Sequence, residues 1–259
     1  MTSMIRIFIL LFILFSPMKS LGQVELIAHR GESGQAPENT LAAFRLAWES
    51  NADAVELDIH LSKDNRIMVI HDAGTKRTSG ENFMIRETGS EILRKLDVGS
   101  FKDSLYKGEK IPFLDEVLPI IPSGKKLVIE IKSGADVLPA LETLVQQFDK
   151  KEQLVFIAFG WEVIVKLKQL FPENKCYWLS SNKKEILDKI DAAVAANLDG
   201  LDLHYAAIDK DLMEKAAHAN LEVIVWTVDD PAEAKRLIDL GIKGITTNRT
   251  AWLRPQLKQ

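Results

Sequence analysis

Short apolar runs, each followed by a stretch with helical hydrophobic spacing, recur from residue 25 to the end of the chain. The runs cover 25–29, 54–59, 126–131, 154–159, 176–179, 200–203, 222–228 and 244–247. The stretches that follow them cover 40–50, 114–121, 135–148, 161–170, 183–196, 209–219, 231–240 and a terminal segment. Eight strand-then-helix units match a closed (β/α)8 TIM barrel, which needs about 250 residues, better than an open doubly wound sheet. No glycine-rich dinucleotide fingerprint or phosphate-loop consensus follows any of the strands, which argues against a nucleotide-binding form of the open sheet. One connection is long. More than fifty residues separate Ile59 from Leu114 and include a short strand at 66–70. In a barrel this is an insertion after the second strand, at about 60–112, and loops after strands overhang the catalytic face.

The start of the chain is of a different kind. Arg6 precedes the apolar run 7–15, followed by Pro17, Lys19 and Ser20-Leu21-Gly22, which puts small residues at −3 and −1 of a cut before Gln23. Residues 1–22 therefore read as a secretory signal peptide. The run is short of the roughly 20 apolar residues of a membrane span, so 23–259 is expected to be one exported domain, periplasmic or extracellular, with no stable span. A formal net charge of −4 removes any broad attraction for nucleic acid. Cys176 is the only cysteine, which excludes a thiolate zinc cluster and leaves oxygen or imidazole ligands for any metal.

Charged residues sit where apolar strands end. Period-2 alternation in 55–59 sends Val55, Leu57 and Ile59 to one face and Glu56 and Asp58 to the other. In 127–132 it pairs Glu130 with Lys132. Charges turned into a barrel need partners. Three acids beside one lysine call for a further cation, either a divalent ion on Glu56, Asp58 and Glu130 or an internal salt-bridge network. All-oxygen ligation suits Ca2+ or Mg2+ better than Zn2+. His29-Arg30-Gly31 ends the first strand and His71-Asp72 follows the short one, so both imidazoles are candidates for an acid/base pair at the same mouth. Arg30 and Lys132 add positive charge for an anion, and a phosphate diester fits the whole inventory.

Other residues have narrower readings. Asn39 is the expected N-cap of the first helix, and Glu38 an organiser of the site or a solvated acid. Trp226 shares an inward face with Ile224 and is a candidate to pack on the substrate's alcohol or glycerol. His204-Tyr205 is a candidate for the pocket wall. Cys176 is expected to be inert core, and His218 to lie late in a peripheral helix. Ser33, in Gly31-Glu32-Ser33-Gly34, has part of a hydrolase nucleophile elbow, but Gln35 stands where glycine is required.

The ordered series His29-Arg30-Gly31, Ala36-Pro37-Glu38-Asn39-Thr40, Glu56-Leu57-Asp58 and Val69-Ile70-His71-Asp72 with Arg77-Thr78 resembles the glycerophosphodiester phosphodiesterases. These belong to the phosphatidylinositol-specific phospholipase C-like barrels. Pro112 to Val117, Glu130-Ile131-Lys132, Val225 to Val228 and Gly244 to Thr247 continue the resemblance in order. It implies a metal-dependent enzyme that hydrolyses a glycerophosphodiester to sn-glycerol 3-phosphate and an alcohol. It also implies His29 and His71 as the acid/base pair, Glu56, Asp58 and Glu130 as metal ligands, and Arg30 and Lys132 at the phosphoryl group. Two positions depart from the pattern: Ala158 where the family usually has Ser, and Asn248 where it usually has Asp. The alternatives are a lysophospholipase D or phospholipase C-like enzyme acting on lysophospholipid or other lipid diesters, or a head-group binder that has lost catalysis.

Overall fold

Nine strands organise the computed structural model, which describes residues 24–257. They are β1 (Glu25–Ala28), β2 (Ala54–Leu61), β3 (Ile67–Val69), β4 (Lys126–Ile131), β5 (Leu154–Ala158), β6 (Lys175–Ser180), β7 (Gly200–His204), β8 (Glu222–Trp226) and β9 (Gly244–Thr247). The sheet runs β1-β9-β8-β7-β6-β5-β4-β2, and a parallel β1–β2 pairing closes it into the expected eight-stranded barrel. An open doubly wound sheet is thereby excluded. The proposed signal peptide lies outside the described residues. No helix among the described residues is long and apolar enough to cross a membrane.

Alternation along the strands sorts the side chains into two cores. Leu57, Ile129, Phe156, Trp178, Leu203 and Val225 face the helices, together with many helical residues. Ile27, Val128, Ile157, Tyr177, Leu179 and Ile224 fill the barrel interior. Cys176 is buried among the outward set, where burial pushes its thiol up to about 12, so it is inert core.

The expected helix at 114–121 divides into an α-turn, Leu114–Val117, and a 3-10 turn, Leu118–Ile120. Pro119 lacks the amide that an α-helix requires there. The stretch 135–148 opens as a 3-10 turn, Ala135–Val137, before the helix Leu138–Gln146. The connection from β2 to β4 begins with β3, which pairs antiparallel with Ile59–Leu61 of β2 on the edge not taken by β4. The connection also holds a small core of its own, centred on Met68, Ile85, Leu93 and Ile111. Two of its contacts reach the catalytic face. β3 delivers His71 there, and Lys102 Nζ donates to the Ser33 carbonyl at 2.7 Å.

The barrel interior leaves no room for a side chain at Gly200. A Cβ there would lie 2.2 Å from the Glu222 carbonyl oxygen and 2.6 Å from the Tyr177 ring. Tyr177 is itself held by a 2.5 Å hydrogen bond to the Glu222 carboxylate. Gly200→Ala is therefore expected to destabilise the protein by about 2–3 kcal/mol, read as a lower urea midpoint with unchanged m-value.

Candidate active site

Every site residue named from the sequence converges on the C-terminal mouth of the barrel. His29, Arg30, Glu56, His71, Glu130, Lys132 and Trp226 line a cavity of about 200 Å3, and the fully buried Asp58 lies behind them. The cavity has two characters. Charged groups from β1, β2, β4 and the β3 connection form one side, while Ile157, Phe159, Leu179 and Trp226 form the other. This follows from register, since Asp58 pairs with Glu130 on adjacent strands and both point inward.

The three acids crowd one another. One carboxylate oxygen from each of Glu56, Asp58 and Glu130 lies within 4.8 Å of the others. Burial and the neighbouring carboxylates push Glu56 well above the usual range and Glu130 up to about 7. Protein groups answer only part of this charge. The Arg30 amide donates to Glu56 at 2.9 Å, Lys132 Nζ donates to Glu130 at 2.8 Å, and Arg30 Nε lies 3.3 Å from Asp58 Oδ2. Asp58 Oδ1 is buried without a hydrogen-bond partner among the described residues. Three converging carboxylates, one with an oxygen that makes no hydrogen bond and has only Lys132 Nζ at 3.8 Å, fit a hard divalent cation, since the ion pairs of Arg30 and Lys132 offset the three acids only in part.

Asn39 is a support of this cluster rather than a helix cap. The cap of the helix Leu41–Glu49 is Thr40, whose side chain accepts from the Ala43 amide. Asn39 has φ 56°, donates from Nδ2 to Asp58 Oδ2 at 2.8 Å and accepts the Asp58 amide on Oδ1 at 3.2 Å. The turn before it is equally demanding. Arg30 has φ 55°, and Gly31 has φ 81° with the Ala43 backbone 2.6 Å from where a Cβ would be, so only glycine lets the chain close onto the helix.

The two histidines are oriented by different means. His29 Nδ1 lies 2.7 Å from Asn248 Oδ1. Asp229 fixes the orientation of that amide, accepting from Asn248 Nδ2 at 2.7 Å and from its backbone N–H at 2.8 Å. The Asn248 oxygen must then face His29, which assigns the ring proton to Nδ1 and leaves the Nε2 lone pair free. Burial and the Arg30 charge hold the His29 pKa below its ordinary value. His71 Nδ1 lies 2.7 Å from Asp72 Oδ1, and its Nε2 is 3.3 Å from Lys132 Nζ.

Arginine and glutamate tie these supports together. Arg77 pairs with Asp72 and Glu38, and Arg30 also pairs with Glu38. The two guanidiniums pull the Glu38 carboxyl down to about 2, so Glu38 organises the site and is not merely solvated. His60, inward on β2, bonds the His71 carbonyl through Nε2 at 3.0 Å.

Three further expectations resolve. Ser33 Oγ donates to Asn248 at 3.1 Å, a bracing role in place of the nucleophilic one. His204 packs edge-on against Trp226, with ring centroids 5.0 Å apart, and supports the wall from behind. His218 ends the helix Lys210–His218 and bonds the Glu214 carbonyl. Sequence reasoning missed Asn39, His60, Asp202 and Asp229 as site residues. For His60 and Asp202 the strand alternation carried a signal. For Asp229 nothing local did.

A sign follows for stability. Glu130 has a folded pKa near 7 against an ordinary 4.5, so the contribution of this group is fully present below about 4.5 and is lost as pH rises through 7. In chelated protein this component of the melting temperature should therefore fall between pH 4.5 and 7. Added divalent ion should restore it most at the upper end, where the carboxylates are ionised, as followed by calorimetry.

Comparisons with known proteins identify the family. The glycerophosphoryl diester phosphodiesterase family model matches residues 29–251. A glycerophosphodiester phosphodiesterase of Caldanaerobacter subterraneus is 32% identical over 228 residues, covering 86% of this chain and 93% of its own. A human lysophospholipase D is 28% identical over 276 residues, covering 88% of this chain and 84% of its own. The structure of an Oleispira antarctica phosphodiesterase in complex with the product sn-glycerol-3-phosphate superposes with a TM-score of 0.85 at 28% identity, covering 91% of this chain and 97% of that one. The chain belongs to the glycerophosphoryl diester phosphodiesterase family.

Proposed function

We propose that this protein is a metal-dependent glycerophosphodiester phosphodiesterase, a phosphoric diester hydrolase that releases sn-glycerol 3-phosphate and an alcohol. The observation that carries the reading is the convergence of two separately oriented imidazoles, three buried acids and two cations on one cavity. Arg30 and Lys132 hold the phosphoryl oxygens. His29 and His71 are the proton-transfer pair, one taking the proton of the attacking hydroxyl and the other giving a proton to the leaving alkoxide. Glu56, Asp58 and Glu130 would hold one Ca2+ or Mg2+ ion, which when bound supplies positive charge against the phosphoryl oxygens and lowers the pKa of the attacking hydroxyl. Trp226 walls the organic part of the substrate.

A second reading has its own support. Phe159 is 46% exposed and stands edge-on to Trp226 at 5.6 Å, extending the apolar side of the cavity to the surface. An acyl chain would lie along that side, so lysophospholipid is the alternative substrate. Residues 1–22 are proposed to direct export to the periplasm or cell exterior.

The decisive assay is sn-glycerol 3-phosphate release from glycerophosphocholine and glycerophosphoethanolamine, with lysophosphatidic acid and choline release from lysophosphatidylcholine in parallel. It uses residues 23–259 before and after chelation, with Ca2+ and Mg2+ returned separately. Release that is lost on chelation and restored by one ion is expected. Folded, metal-replete protein that cleaves none of the three would overturn the reading. His29→Ala and His71→Ala should each lower kcat by about 10²–10⁴-fold. Asn248→Asp places a carboxylate against His29, and the limb of the pH–rate profile governed by that imidazole should move up by about one unit. An unshifted profile would show that His29 does not titrate in the reaction.

A further inference from the structure

Of the acids that line the cavity, Asp202 alone has no part in the chemistry above. β7 alternates Gly200, Asp202 and His204 inward against Leu201 and Leu203 outward, so the carboxyl projects into the barrel. It lies two residues before His204, the register partner of Trp226, and so one layer deeper than the aromatic wall. The residue is 2% exposed, and its Oδ1 has no hydrogen-bond partner among the described residues. Trp226 Nε1 donates to the Asp202 carbonyl at 3.3 Å, which seats the indole over this strand without satisfying the carboxyl.

A buried carboxyl without a partner destabilises the fold that contains it, so its place at the base of an otherwise functional cavity calls for a ligand. We propose that Asp202 is a substrate-recognition residue whose carboxyl hydrogen-bonds a hydroxyl of the substrate's glycerol portion from the floor of the cavity. It thereby selects polyol phosphates over phosphates of plain alcohols. The assignment rests on the phosphodiesterase reading and names the residue that reads the glycerol.

The surroundings favour a hydroxyl over an ammonium group. The register partners of Asp202 on the flanking strands are the apolar Leu179 and Ile224, where an uncharged hydroxyl costs less to bury than an ammonium. Burial and the Glu130 charge raise the Asp202 carboxyl well above its usual range. In either protonation state the carboxyl accepts from an alcohol O–H, and the alcohol oxygen keeps an acceptor site of its own, which an ammonium lacks.

The test is direct binding, followed by calorimetry on metal-replete enzyme, of sn-glycerol 3-phosphate and of n-propyl phosphate, which lacks both hydroxyls. Wild type should bind the glycerol compound more tightly. Asp202→Ala should weaken that compound about 10- to 100-fold, as expected for one lost hydrogen bond to a buried group, and leave propyl phosphate unchanged. Asp202→Asn, which keeps a donor and an acceptor, should retain most of the preference. The melting temperature of Asp202→Ala should not fall, because no protein partner is lost. Equal weakening of both ligands, a preference that survives in Asp202→Ala, or wild type without a preference would each overturn the assignment. Failure of the broader reading would show separately, as wild type that binds these phosphates yet cleaves no diester.

Discussion

Three carboxylates held within 4.8 Å of one another in a buried barrel mouth are the constraint around which this protein is arranged. Like charges so placed repel and are poorly solvated, so the chain either protonates them or meets them with cations. It does some of each. Glu56 and Glu130 are driven upward, while Arg30, Lys132 and Asn39 converge on Asp58 from three different elements. The left-handed turn at Arg30 and Gly31 exists at the point where the Arg30 backbone reaches Glu56 and its guanidinium reaches Asp58. A divalent ion would complete a balance that protein groups leave unfinished.

The two imidazoles proposed for proton transfer are built on the rim of that cluster by chain segments far apart in sequence. His29 rests on Asn248 and, through it, on Asp229. His71 comes from the connection after β2 and is held by Asp72, with Arg77 and Glu38 locking that connection to the loop after β1. The two imidazoles therefore experience different fields. A neutral amide backs His29 and a carboxylate backs His71, so one ring nitrogen pair is set by an amide dipole and the other by a full charge. The Asn248 departure noted in the sequence thus alters the surroundings of His29 without touching the acids.

Much of the site was legible because strands have a period of two. Glu56 and Asp58 had to share a face, as did Glu130 and Lys132, and their pairing across β2 and β4 follows once those strands are neighbours. The same rule placed His60 and Asp202 inward, yet an isolated polar residue on an inward face names no partner by itself. Asn39 misled for a local reason. Asn before a helix satisfies the capping pattern, and the adjacent Thr40 satisfies it equally, so only the carboxylate waiting at Asp58 separates the two roles.

The sequence by itself determined the barrel, through eight apolar runs each followed by helical spacing, and the identity of the acids, imidazoles and cations at the strand ends. Those are properties of local periodicity, which a linear chain records directly. The tertiary structure alone decided which groups support them: Asp229 behind Asn248, Ser33 bracing Asn248, and Asp202 unpaired at the cavity floor. Hydrogen bonds such as that between His29 and Asn248 join positions 219 residues apart, and no local pattern specifies them. They exist because barrel closure brings the first and last strands side by side.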